Sequence, residues 1–441
     1  MKNLFRLLMT LALFALLLVG NLNAQFSGGS GTEADPYQIA SGEDMVELAD
    51  SVNNSPFNDP ITYYNWSRDK YFKVMKDIDD SVRTVIGFTI LSEYAYFFQG
   101  DFNGNNKKII LAIDEDIFVG LFSVIYDANI YDLIIDGYVH GRNDVGGICG
   151  YNLGSNIINC VNYCKTSGMD NVGGICGSTT YPSYISNCIN YGNIEGKKRI
   201  GGISGNISSG NIENCFNYGY VNGSEHIGGV CGVCFGSGII NCNLSNCFNY
   251  GYVIGKNIYA GGIAGFCGYG VNISNCKNES NVVGNKAVGG ITGCFGGNGT
   301  DLLSELSNCV NSGNIVGVSG VGGISGHLHY GDKIFHCVNI GTIKADSIVG
   351  GIVGGSDDDN LYFDSTGNIY NSVNSGLIIG KKIVGGIMGR CFGEIKNCIN
   401  TGVVKGNTKV GCIVGEIEGK DNQKGTIINC HYDKQMCGSG E

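Results

Sequence analysis

Val145-Gly-Gly-Ile-Cys-Gly150-Tyr-Asn-Leu-Gly-Ser-Asn-Ile-Ile-Asn-Cys160-Val-Asn162 contains two short units that recur through the rest of the chain. The first, Val-Gly-Gly-Ile-x-Gly, begins again at Val172, Ile200, Ile227, Ala260, Val288, Val321, Val349, Val384 and Val410, with Cys412 replacing the second Gly in the last copy. A weaker copy, Val119-Gly120-Leu121-Phe122, precedes them. The second unit, Asn-Cys-x-Asn, places Cys160, Cys188, Cys215, Cys247, Cys276, Cys309, Cys337, Cys398 and Cys430 in one slot, where Ser372 stands once in place of Cys. The period averages about 29 residues, which marks a repeat architecture.

The spacing between the units is asymmetric. From the Cys slot to the next Val-Gly-Gly it is 12 residues in eight of nine cases and 13 once, but from Val-Gly-Gly to the next Cys slot it runs from 14 to 23. One arc of each repeat is therefore fixed by packing on its neighbours, and the other carries loops, which in a solenoid gather on a common face. Helices are disfavoured, because Gly costs about 1 kcal/mol per helical position relative to Ala. Short Ile/Val-rich runs split by Gly fit strands instead. About 29 residues per turn suits three such strands, and a turn that cannot bury its own inner face can bury it against the next. The expected fold is all-β: a parallel β-helix of about eleven turns, roughly 50 Å long at the usual strand spacing. Its right hand is taken from known β-helices. Ile and Val would form the core, Gly would serve bends needing positive φ or close backbone approach, and the Asn beside each Cys would form amide ladders.

The chain has 73 Gly, 20 Cys, 4 Pro and a formal net charge of -11. Scarce Pro excludes collagen, and the acidic balance argues against a nucleic-acid partner. Residues 1–118 hold 8 Gly and no Cys, so the composition breaks near Phe118. At the N-terminus, Lys2 and Arg6 precede an apolar run, Leu7 to Gly20, and Ala24 precedes Gln25. That order is a secretory signal peptide, too short for a membrane span. The expected divisions are a signal at 1–24, an α+β cap at 25–118 and the solenoid at 119–441. Within the cap, Ser41-Gly-Glu-Asp44 opens a short helix over 42–53. Strands are expected at Tyr71–Val74, Thr84–Ile90 and Lys108–Ile113, with Asn103-Gly104-Asn105 as a turn. An open solenoid end exposes strand edges, so residues 416–441 are expected to cap it, unless the chain is truncated there.

Val-Gly-Gly-Ile-x-Gly followed by Ile-x-Asn-Cys-x-Asn-x-Gly-x-Val resembles the GLUG repeat. The lead segment Gly28-Gly29-Ser30-Gly31-Thr32-Glu33-Ala34-Asp35-Pro36-Tyr37 and the closing His431-Tyr432-Asp433-Lys434-Gln435-Met436 are similar to the ends of such proteins. The resemblance implies an exported bacterial surface or secreted protein, often adhesin-like. The repeat also accompanies some IgA-cleaving metallopeptidases. It implies no defined ligand.

Candidate chemistry is sparse. Exported cysteines invite disulfides, but residues in one slot stack one above another, and free Cys packs as a small apolar side chain. Reduced, stacked thiols and several disulfides are the two readings. Cys231, Cys234, Cys242 and Cys247 have spacings that fit no usual zinc finger. Gly296-Gly-Asn-Gly-Thr-Asp301 matches a single calcium-binding nonapeptide, and Asp357, Asp358 and Asp359 form an acidic loop with calcium-ligand chemistry. Tyr163, Tyr191, Tyr218 and Tyr250 share the slot three residues after Cys, an aromatic strip suited to sugar rings or a protein surface. No His is followed by Glu, so a His-Glu-x-x-His metallopeptidase site is absent. The expected protein has no catalytic activity and no cofactor. It binds a host or matrix glycan or protein through its variable loops. A β-helix polysaccharide lyase or hydrolase, and a passive stalk for a missing C-terminal domain, are the alternatives.

Overall fold

The computed structural model describes residues 26–55, 65–90, 94–237, 240–297, 303–329, 331–355, 367–420 and 423–439. The signal segment 1–24 and Asp357, Asp358 and Asp359 lie outside them, as do residues 298–302 of the nonapeptide. The chain is nearly all β, a parallel β-solenoid of about 12 turns.

One turn illustrates the rest. After β1 (Tyr37–Ile39), α1 (Gly42–Asn53), β2 (Tyr71–Val74), β3 (Ile78–Val82), β4 (Phe88–Ile90), β5 (Tyr94–Tyr96), β6 (Asp101–Asp114), β7 (Ile117–Val119), β8 (Phe122–Tyr126) and β9 (Asn129–His140), the first full Val-Gly-Gly turn runs through five short strands. These are β10 (Asn143–Gly146), β11 (Cys149–Leu153), β12 (Asn156–Ile158), β13 (Val161–Asn162) and β14 (Lys165–Ser167). Three strands per turn were expected. The difference has a backbone cause: Asn159 sits at φ 55 and parts β12 from β13, and Gly154 at φ 65 parts β11 from β12.

Stacking is like on like. Val145 pairs with Val119 before it and Val172 after it. Ile157 pairs with Ile130 and Ile185, and Cys149 with Phe122 and Cys176. The inward columns at Val145, Ile148, Ile157 and Cys160 are fully buried, and equivalent residues continue them along the solenoid.

The bends reassign the roles expected of Gly and Asn. The residue before each Cys slot is left-handed in every copy from Asn159 to Asn429, at φ 48 to 56, with His336 and Asn371 included. Asn suits that conformation because its short amide is tolerated there. A second left-handed column precedes each repeat Val: Asp144, Asn171, Arg199, His226, Tyr259, Ala287, Gly320, Ile348, Ile383 and Lys409. The paired Gly residues serve close approach instead. A Cβ on Gly146 would lie 2.1 Å from the Cys149 carbonyl oxygen, and one on Gly229 2.1 Å from the Gly262 oxygen of the next turn.

The break in composition near Phe118 is not a break in the ladder. β1 pairs in parallel with β2, β2 with β6, and β6 with β9. These first turns are filled by Phe72, Phe98, Phe102 and Phe122, where later turns use Ile, Val and Cys. Helix α1 covers their end. Ser41 caps it by accepting the Asp44 N–H at 3.2 Å, and Met45, Leu48, Ala49 and Val52 face the core. Only Phe88–Ile90 of the Thr84–Ile90 stretch is strand, paired antiparallel with β5. Asn103-Gly104-Asn105 lies inside β6, where Asn105 and Asn106 turn left-handed and kink the strand instead of reversing it. Among the described residues no helix is long and apolar enough to cross a membrane.

Candidate functional site

The constant arc, from the Cys slot to the next Val, is built on two inner ladders. Asn162, Asn190, Asn217, Asn249, Asn278, Asn311, Asn339, Asn374 and Asn400 stack in the core, each amide nitrogen donating to the next amide oxygen at 2.7 to 2.9 Å. The same amides hold the bend that follows: Asn249 Nδ2 donates to the Gly251 carbonyl at 2.9 Å, and the Gly251 N–H donates back to Oδ1 at 3.2 Å. Beside them each slot thiol donates to the carbonyl two residues earlier, as Cys160 does to Ile158 at 3.2 Å and Cys215 to Glu213 at 3.3 Å. Ser372 makes the equivalent bond to Tyr370 at 2.8 Å, which explains how a hydroxyl fits a thiol column.

The remaining slot members Cys188, Cys247, Cys276, Cys309, Cys337, Cys398 and Cys430 repeat the arrangement. Burial pushes the thiols of Cys160, Cys247 and Cys309 up, and that of Cys398 to about 12, so these sulfurs stay protonated and unreactive. Eighteen cysteines are free, and one disulfide joins Cys412 to Cys437. It ties the last Val-Gly-Gly unit to the closing segment.

Outward from these ladders stand the tyrosines. Because side chains alternate across a strand, burying Asn162 turns Tyr163 to solvent. Tyr163, Tyr191, Tyr218 and Tyr250 form one column, with ring centroids 4.9, 5.0 and 4.9 Å apart and planes within 7 to 13°. They are 48, 43, 44 and 37% exposed. Phe216 stacks on Phe248 at 5.2 Å and Tyr220 on Tyr252 at 6.2 Å in the flanking columns. At Tyr252 the flanking column borders a groove of about 410 Å³ that is also lined by Val283, Val316 and Lys344. Stacking covers both faces of Tyr191 and Tyr218 and one face each of Tyr163 and Tyr250, so the middle of the strip presents ring edges and hydroxyls. Partial burial and the adjoining phenols raise the Tyr218 hydroxyl above its usual range, so it is a neutral donor. The strip lies between the fourth and fifth strands of its turns. The loops of variable length lie between the second and third. The two binding features read from the sequence are thus on different arcs.

The variable arc carries what sequence reasoning missed. Cys294 Sγ lies 3.0 Å from His329 Nε2, and both are buried. Asp332, also buried, accepts the Ser304 N–H at 2.6 Å, and its second oxygen abuts Gly296. Burial pushes the Cys294 thiol up and the His329 imidazole down to about 4, so the proton stays on sulfur. Burial also raises Asp332 to about 7. None of the three occupies a repeat slot that sequence spacing marks. Nearby, Cys234 Sγ is 3.7 Å from Cys267 Sγ, whereas Cys247 belongs to the slot ladder. Among the described residues no group of three or more His, Cys, Asp or Glu is placed to hold a metal.

Fold and surface together define a parallel β-solenoid with an exposed aromatic ladder. No family model matches the chain, so the repeat is established but membership of the GLUG family is not. No curated protein matches it. It is similar to one crystal structure, described as "a putative immunoglobulin A1 protease from Bacteroides ovatus", at 17% identity and a TM-score of 0.38, covering 81% of this chain and 87% of that one. The expectation of no catalytic activity does not stand beside a neighbour so named, and is corrected: the chain is not classed as a non-enzyme. At that identity and TM-score the likeness carries no activity, substrate or residue role across.

Proposed function

We propose that this chain is an exported bacterial surface or secreted protein that binds a host or matrix protein through the face carrying Tyr163, Tyr191, Tyr218 and Tyr250. The observation that carries the reading is the exposed, four-membered ring stack, flanked by two more aromatic columns. Contiguous exposed apolar surface marks interaction sites, and tyrosine combines contact area with a hydroxyl at little entropy cost. Sugar rings pack on aromatic faces, and here both faces of the two middle rings are taken by neighbouring rings. A protein surface is therefore the better match to the strip.

The test is binding of the chain to an array of matrix proteins and glycans, beside a Tyr191→Ser/Tyr218→Ser variant and a variant trimmed within residues 236–241, 297–303 and 356–366, between the strands. Protein binding lost about tenfold or more in the tyrosine variant and kept in the trimmed one is the expected result. Loss only on trimming would move the contact to the loops. Glycan binding alone would replace the partner class, and no binding by a folded chain would favour a stalk.

A further inference from the structure

Where the variable arc begins, four successive turns line an open surface cavity of about 650 Å³ formed by Phe97, Tyr126, Asp127, Leu153, Gly154 and Tyr181. It belongs to neither the tyrosine strip nor the Cys294–His329 pair. Its volume falls in the range of small-ligand sites. Tyr126, Leu153 and Thr180 are register partners, so the lining is set by the ladder itself.

The bend after this strand is left-handed in successive turns, at Asp127 (φ 52), Gly154 (φ 65), Tyr181 (φ 63) and Ser209 (φ 61). Asp and Gly enter that region readily, but for a bulky aromatic it is an outlier. Tyr181 gains no core burial in return, since it is 67% exposed. Strain held at an exposed ring over a cavity points to function. Gly154 complements it: a Cβ there would meet nothing within 4 Å, so glycine leaves the cavity open.

The lining supplies three aromatic rings and one carboxylate, and no amide or basic side chain. Rings attract cations through their quadrupole, and the carboxylate adds a full negative charge. Asp127 is paired only loosely, to Arg68 Nη2 at 3.7 Å with its own side chain 67% exposed, and exposed pairs of that kind contribute little. The chain's net charge of -11 favours cation encounter.

We propose that this cavity binds an alkylammonium group, the chemistry shared by quaternary ammonium compounds and lysine side chains. The test is NMR titration of the whole chain at constant ionic strength with tetramethylammonium, with its neutral isostere tert-butanol, with Nα-acetyl-lysine methylamide and with glucose. Tetramethylammonium is expected to bind about tenfold more tightly than tert-butanol. Tyr181→Gly and Asp127→Asn should each weaken it about fivefold or more. Tyr181→Gly also relieves the strained backbone, so its thermal midpoint should not fall, which separates ligand loss from unfolding. Asp127→Asn keeps a residue suited to the left-handed bend and gives a second reading. Binding by the lysine derivative identifies a protein side chain as the source, and binding by tetramethylammonium alone identifies a quaternary headgroup or free compound. Equal binding of cation and alcohol, preference for glucose, no cation binding at all, or unchanged affinity in both variants would overturn the proposal.

Discussion

The arc from Cys160 to Val172 and the arc from Val145 to Asn159 belong to adjoining parts of the same ladder and share one core, but they are held together differently. On the constant arc every buried amide bonds to the next one in the column and to its own bend, and every slot thiol or hydroxyl finds a carbonyl. On the variable arc, several polar groups in the interior meet local partners that do not repeat, as Cys294 does with His329 and Ser304 with Asp332. Nearest-neighbour repetition makes the first arc the source of stability. The second departs from repetition, and such departures collect titratable groups and cavities.

Breaking the constant arc should produce the largest effect. Asn249→Leu removes the links to Asn217 and Asn278 and both bonds to Gly251. With about 1–3 kcal/mol for each buried group left unpaired, the expected loss is about 3–5 kcal/mol, read as a fall in the urea midpoint.

A pair of Gly→Ala changes sharpens the contrast at intermediate size. Gly251→Ala on the constant arc drives a Cβ to 1.9 Å from the Gly219 carbonyl oxygen of the preceding turn and 2.6 Å from Asn217 Nδ2. It should cost about 3 kcal/mol or more, because backbone in a close-packed ladder cannot yield. Gly154→Ala on the variable arc has open space and incurs only the left-handed penalty of about 1–2 kcal/mol. Equal losses in the two variants would show that the arcs do not differ in packing.

The remaining contrast is electrostatic and is read at two groups of the variable arc. Asp332 titrates at about 7 in the folded chain, against about 4 unfolded. The fold therefore binds the extra proton between those values, and wild type loses stability as pH rises from about 4 to about 7 through this group. Asp332→Asn should gain on wild type across that window and keep a constant advantage above it. His329 acts in the opposite sense. Its folded value of about 4 lies below the unfolded 6.5, so its contribution is present above about pH 6.5 and lost as pH falls towards 4. His329→Gln should flatten that acid limb. Urea midpoints measured from pH 4 to pH 8 check both signs.

What could be read from sequence follows the same division. The parallel stack, the Ile/Val/Cys columns and the Asn ladder were legible because each position recurs with its chemistry nearly unchanged. Helix α1 was legible from Ser41 and the apolar spacing after it. The five-strand turn was not, because composition does not show that Asn159 and its equivalents adopt left-handed φ. Nor does anything local foretell a β-branched residue such as Ile348 or Ile383 in that conformation. Cys294, His329, Asp332 and the Tyr181 cavity escaped because they occur once, within stretches whose length changes from turn to turn. The tyrosine column was visible, but the closing of its ring faces by stacking is a property of spacing across turns and had to await the structure.

The interchangeable joints of the amide ladder have a consequence for inheritance. Asn190 meets Asn217 as Asn217 meets Asn249, so recombination between two turns can insert or delete a whole unit and leave the joint intact. Where the duplicated turn carries a tyrosine, the contact strip lengthens by one ring, 4.9 to 5.0 Å. The length of the tyrosine column is then a copy number that a lineage can raise or lower in single steps, without designing a new fold each time.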